Sequence, residues 1–239
     1  MKSTSLLSLA LVAFTAALVA PLAAREPQDA QKPAVQIPDP QVPQIMTIEG
    51  NFVRGAYNRE GYVILGYQPA QRSIGEEWML IEVGLTLLPG TKEYTLKRDA
   101  LSLDVPDGKT LPLPTVTEHR EGDTRAVQNR AKVQRDNINY FPPMASRPCR
   151  IGFFADLSSP AMAWDEVSVD SNRACLGRLY FKIPGGIAYG QYWLNVKFQD
   201  SVVRVPFRIL TKDEEKLLSK NFKSIKKQVD DAFKPPKKK

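Results

Sequence analysis

Apolar and polar residues alternate through three successive runs near the end of the chain. Leu179, Phe181 and Ile183 alternate with Arg178, Tyr180 and Lys182. Tyr192, Leu194, Val196 and Phe198 alternate with Trp193, Asn195 and Lys197, and Val203, Val205, Phe207 and Ile209 with Arg204, Pro206 and Arg208. A period of two is the signature of half-buried strands. Pro184-Gly185-Gly186 and Gln199-Asp200-Ser201 separate the runs with turn chemistry. The stretch therefore predicts an antiparallel meander with one face on a core. Pro206 has no N–H to give a ladder, so its strand belongs near an edge or a bulge. The outward residues Tyr180, Trp193, Arg204 and Arg208 form a candidate binding face, although scattered exposed aromatics are ordinary on a wall.

Strand signals recur upstream. Gly61–Tyr67 is a short apolar run. In the longer Glu77–Leu88 run, Met79, Ile81, Val83 and Leu85 share one face and Leu80, Glu82, Gly84 and Thr86 the other. Leu101, Leu103 and Val105 alternate with Ser102 and Asp104, Pro106-Asp107-Gly108 turns the chain, and Leu111 and Leu113 between prolines suggest a weak edge strand. Two segments break the period. Residues 122–135 predict a modest helix with Asp123 as N-cap and Val127 and Ala131 as an i, i+4 apolar pair. They lie inside 114–148, a long excursion from the sheet of the kind that is often functional or mobile. At the C-terminus, Thr211 and Glu214 form a capping box. Leu218, Phe222, Ile225, Val229 and Ala232 then repeat at steps of four and three, flanked by Leu217 and Phe233. This predicts an amphipathic helix over 211–234 whose stripe needs a cover. The cover is the chain's own domain, a second molecule or an anionic surface. Lys220, Lys223, Lys226 and Lys227 are expected in solvent.

The N-terminus changes the compartment. Lys2, an apolar run from Leu6 to Val19, Pro21, and small Ala23 and Ala24 before Arg25 read as a secretory signal peptide over 1–24. The run falls short of the ~20 apolar residues of a membrane-spanning helix. An uncleaved anchor is the alternative. No cysteine follows it to take a lipid. Residues 25–44 carry five prolines and few large apolar groups and read as an extended linker or, alternatively, a proline-rich ligand. The β domain then spans 45–210, followed by the helix to 234 and the basic tail 235–239.

Charge and chemistry exclude more than they include. The formal charge is +7, but the segment from Thr211 onward, with ten Lys against five acids, holds +5 of it, and Lys2 another +1. The remainder is nearly neutral, so no specific nucleic-acid partner is expected. An anionic-surface contact through Lys237, Lys238 and Lys239 is the residual possibility. The two cysteines, Cys149 and Cys175, suggest a disulfide in an exported chain, pinning the loop between them, with a reactive thiol as the alternative. Trp164 lies between them, but they stand too close in sequence for the inter-sheet staple of antibody domains. The single histidine, His119, is read as an exposed loop residue. It has no Gly-x-Ser-x-Gly elbow to serve and no second histidine at ligand spacing. Asp165, Glu166 and Asp170 form an acidic loop without the spacing of a calcium site. Neither a catalytic, a metal nor a cofactor-binding residue is assigned. Paired carboxylates distant in sequence would escape this kind of reading.

The segment GEEWMLIEVGLTLLPGTKEYTLKRDALSLDVPDGKTL (75–111), with GRLYFKIP and the closing PFRI, resembles immunoglobulin-like domains of unknown function on bacterial exported proteins. The likeness spans roughly 60–209. It implies an antiparallel immunoglobulin-like β-sandwich and a binding role, and carries no catalytic residues to transfer. This chain departs from many such proteins in lacking a lipid-attachment cysteine. The expectation is a mainly β, periplasmic or secreted, non-enzymatic binding or structural accessory protein of the cell envelope, partner unspecified. The alternatives are a carbohydrate-active or other hydrolase with unplaced carboxylates, and an anionic-surface binder.

Overall fold

The computed structural model describes residues 35–155 and 162–234. The signal sequence expected at 1–24, linker residues 25–34 and the tail 235–239 with Lys237, Lys238 and Lys239 lie outside them. In chain order the elements are β1 (Ile45–Gly50), β2 (Val53–Tyr57), β3 (Gly61–Gly66), a single turn α1 (Gln68–Gln71), β4 (Trp78–Leu87), β5 (Tyr94–Lys97), β6 (Leu101–Asp104) and β7 (Thr110–Pro112). Then follow α2 (Val116–Glu121), α3 (Arg125–Val133), β8 (Arg147–Ile151), β9 (Glu166–Val169), β10 (Arg173–Lys182), β11 (Gly190–Lys197), β12 (Val202–Ile209) and α4 (Lys212–Ala232).

The strands form a six-stranded sheet in the order β1-β2-β3-β4-β10-β8, a four-stranded sheet in the order β12-β11-β6-β7, and the pair β5-β9. Two expectations need correction. The pairing is antiparallel except between β8 and β10, which run parallel. The expected three-stranded meander is also split, since β10 lies in the larger sheet and β11 and β12 in the smaller one. Alternation gives the face of a strand but not the sheet it joins. Gly185 and Gly186 make the turn with φ of +83° and +87°, a region that favours glycine. Beyond it the Ile187 amide bonds to Glu76 before the chain passes to the other sheet.

The alternating residues meet in one core. Met79, Ile81, Val83 and Leu85 of β4 and Leu179 and Phe181 of β10 share it with Leu101 and Leu103 of β6, Leu194 and Val196 of β11, and Val203, Val205 and Phe207 of β12. The outward face of the larger sheet is covered too. Tyr62 and Ile64 of β3 pack with Ile138 and Phe141 from the excursion, and Val127 and Ala131 of α3 are buried. This is why all ten residues of β4 are buried. Two strand glycines make the cover possible. A Cβ on Gly66 would lie 2.5 Å from Cβ of Asp136, and one on Gly84 2.6 Å from the Phe141 ring. A glycine inside a strand marks such a close approach of another segment.

The helices of the excursion differ from the expectation. Gly122 ends α2 rather than opening a helix, and α3 begins after Thr124 instead of Asp123. Helix α2 is fixed by a capping box, Thr115 with Glu118, the same pattern that starts α4 at Thr211 and Glu214. Helix α4 lies on β1 and on its own domain. Leu218 and Val229 are buried, and Phe222 and Ile225 pack half-buried against the core. Lys220, Lys223 and Lys227 are exposed, as expected. Lys226 departs, because its ammonium bonds the Ile48 carbonyl and sits 2.9 Å from Glu49.

Candidate functional site: an arginine-lined cleft

Glu82 occupies the middle of β4 on its outward side, an unusual place for a carboxylate, with 5% of its surface exposed. Buried charge must be compensated or neutralised. Its cross-strand neighbour in β10 is Arg178, whose Nε lies 3.6 Å from Glu82 Oε1, and Arg135 Nε approaches the same oxygen to 3.5 Å. The Asp136 amide donates to Glu82 Oε2 at 3.1 Å. Glu82 thus anchors the covering segment to the sheet at its first residues.

Asp136 turns its own carboxylate onto the start of α1, where Oδ2 accepts from the Gln68 amide at 2.8 Å. Burial and the neighbouring charge of Glu82 push its pKa up to about 6, against the Gln68 amide and the charge of Arg54. Arg135, Arg150 and Arg178 border one open cleft of about 420 Å³ with Glu82 and Asp136, floored by Phe154, Tyr180 and the β8–β10 seam. Among the described residues, three guanidinium groups face two carboxylates, one of them held toward its protonated form. Arg150 is exposed at the rim and has no ion pair among the described residues. Such a cleft favours an anion, for which planar guanidinium forks are suited.

His119 is not the exposed loop residue expected. It stands on α2, 6% exposed, with ring centroids 4.4 Å from Tyr180, 4.7 Å from Phe154 and 6.0 Å from Trp78. Burial, and then the charge of Arg98, lower its pKa to about 4. His119 is a neutral packing group behind the Phe154–Tyr180 wall of the cleft. The capping box that creates α2 was the sequence signal for this burial.

Cys149 and Cys175 are bonded and face one another in register on β8 and β10, with Cα atoms 4.1 Å apart. The bridge joins neighbouring strands of one sheet and ties Arg150's strand to Arg178's. Asp165 pairs with Arg98, Glu166 begins β9, and Asp170 pairs with Arg173. Among the described residues no group of His, Cys, Asp and Glu is placed to hold a metal ion. The candidate face of Tyr180, Trp193, Arg204 and Arg208 does not exist as one surface. Tyr180 is buried on the larger sheet, whereas Arg204 stacks on Trp193 at 4.7 Å and pairs with Asp104. Arg208 pairs with Glu214 of α4.

Sequence reasoning placed Glu82 only as an outward strand residue and passed over Arg135, Asp136 and Arg150. Comparison with protein-family models, curated proteins and solved structures found no match for the chain. No helix of the described residues is long and apolar enough to cross a membrane.

Proposed function

We propose that this chain is an exported, non-enzymatic binding protein of the cell envelope, an immunoglobulin-like β-sandwich that holds an anionic ligand in the cleft of Arg135, Arg150 and Arg178. The convergence of three guanidinium groups on one open cleft, with Arg150 exposed and without an ion pair among the described residues, is the observation that carries this reading. The disulfide suits an oxidising compartment. Two sheets over one core suit a sandwich. A ligand carboxylate or phosphate meets Arg150 first and Arg178 deeper in. Calorimetry with succinate, citrate and inorganic phosphate tests this. Binding should weaken about tenfold or more in Arg150→Ala, as expected for a lost charge-assisted contact. Equal affinity of Arg150→Ala and the wild type for every bound anion would sink the cleft as the ligand site.

A second reading rests on the Glu82–Asp136 pair. A buried carboxylate beside an acid with a raised pKa is the arrangement of acid–base hydrolysis. Against it, Glu82 already serves two arginines and a backbone amide. Turnover of glycoside substrates that Glu82→Gln abolishes, with folding retained, would favour this reading over binding alone.

A further inference from the structure

Toward the β1 edge of the larger sheet, edge strand β12 of the smaller sheet packs across β2 and β3 without pairing, and α4 packs on β1. The seam is closed by α4 and by residues 35–44. The Gln44 side chain bonds both the amide and the carbonyl of Arg204 on β12, and the Val35 amide reaches Gln228 of α4 at 3.3 Å. The closure is incomplete. A cavity of about 200 Å³ remains, lined by Ile37, Ile48, Phe207, Leu218, Ile225 and Val229 among others. A purely apolar space of roughly 150 Å³ is enough to take a benzene-sized group.

The lining is mixed at its margin, with Gln36, Thr47, Gln191, Arg208 and Arg54 beside the apolar groups. Arg54 lies on β2, two positions before core residue Ala56, so it shares the inward face of its strand. Its guanidinium donates to the carbonyls of Gly50, Asn51 and Val53. A guanidinium has five N–H donors, so two remain beyond these bonds. Among the described residues no carboxylate lies within ion-pair range of Arg54, unlike Arg208 on the opposite rim, which is neutralised by Glu214. An inward cation with no carboxylate in direct contact, at the side of a mainly apolar cavity, complements a ligand with an apolar body and one anionic end.

We infer that this seam binds the free carboxylate of a short-chain or medium-chain fatty acid, its tail among Phe207, Leu218, Ile225 and Val229 and its carboxylate on Arg54. The site is separate from the arginine cleft and stands or falls without it. Titration of the folded protein with octanoate, followed by amide NMR shifts, tests the inference. The expected shifts fall on 35–38, 46–48, Arg54 and 218–229. Octanoate should bind about tenfold more tightly than octan-1-ol, the neutral probe of the same length. Arg54→Met should bring the two probes within about twofold, and Ile225→Trp, which fills the cavity from a half-buried helix position, should abolish both. Three results would overturn it: octanoate shifts confined to the cleft of Arg135, Arg150 and Arg178, equal affinity of the wild type for the two probes, or seam shifts produced by phosphatidylglycerol vesicles but not by free octanoate.

Discussion

His119 and Asp136 both titrate away from their ordinary values because of burial, and their effects on stability oppose each other. Asp136 has a folded pKa of about 6 against an ordinary 3.8. The fold binds this proton more readily than the unfolded chain does, so the group's contribution is complete below about 4 and is lost as pH rises to about 6. His119 has a folded pKa of about 4 against an ordinary 6.5. Here the unfolded chain takes the proton first, so its contribution is present above 6.5 and is lost as pH falls toward 4. Replacing His119 with Phe keeps an aromatic ring in the wall and removes the second effect. Relative to wild type, the stability of His119→Phe should therefore decline as pH rises from 4 to 6.5, and that of Asp136→Asn should increase. Urea unfolding across this range reads both differences, and parallel curves for all three proteins would contradict them. The exposed histidine of the sequence reading failed at this scale. A polar neighbourhood in sequence says little about a side chain turned inward by a short capped helix.

Elements meet here through residues that make room. Gly66 and Gly84 let the segment after α3 descend onto the outward face of the larger sheet. An Ala at position 66 would press on the backbone-proximal Cβ of Asp136, not on the end of a flexible side chain. Gly66→Ala should cost about 1–3 kcal/mol, the range of overpacking, and should raise amide exchange over 135–141 while leaving β11 and β12 protected. A protected 135–141 segment in this variant would show that the cover is not held at Gly66. The strand runs around both glycines were legible from their period of two. Their neighbours were not, because Asp136 and Phe141 lie more than fifty residues away in the chain. The bridge between Cys149 and Cys175 belongs to the same scale. It closes a loop across 26 positions, and a chain-entropy argument gives it roughly 3 kcal/mol. The Cys149→Ser, Cys175→Ser double variant should lose about that much in denaturant unfolding, and a loss below ~1 kcal/mol would place the two strands' association elsewhere.

At the scale of the molecule, α4 and residues 35–44 close the seam between the sheet edges. Residues 35–44 are therefore not a spacer free of the domain, since Ile37 packs on the core and Gln44 completes the edge of β12. Replacing both Phe222 and Ile225 with Ser removes two half-buried apolar side chains. This should cost about 1–3 kcal/mol, increase exchange across 212–232, and expose the seam so that the variant self-associates at high concentration. Substituting exposed Lys220 and Lys223 instead should change stability little, because surface ion pairs contribute only ~0–1 kcal/mol each. Sedimentation and amide exchange on both variants check this, and a monomeric Ser variant with a protected helix would mean the stripe is not what holds α4.

The chain's local chemistry determined a good deal by itself. The period of two set which strand residues face the core, from Met79 to Ile209. The Thr211–Glu214 box and the 4-3 spacing set α4 and the stripe of Leu218, Phe222, Ile225 and Val229 that packs on the domain, although Ala232 at its end is exposed. Two cysteines in an otherwise thiol-free chain indicated one bridge. These features depend on neighbours in sequence, where side-chain direction and capping are decided. Only the tertiary structure decided that β10 joins one sheet and β11 the other, that β8 runs parallel, and that Arg135 and Arg178 meet Glu82 in a cleft with Arg150 at its rim. Strand pairing is chosen by contacts between residues far apart in the chain, and the cleft exists only where an excursion and two paired strands happen to border the same gap.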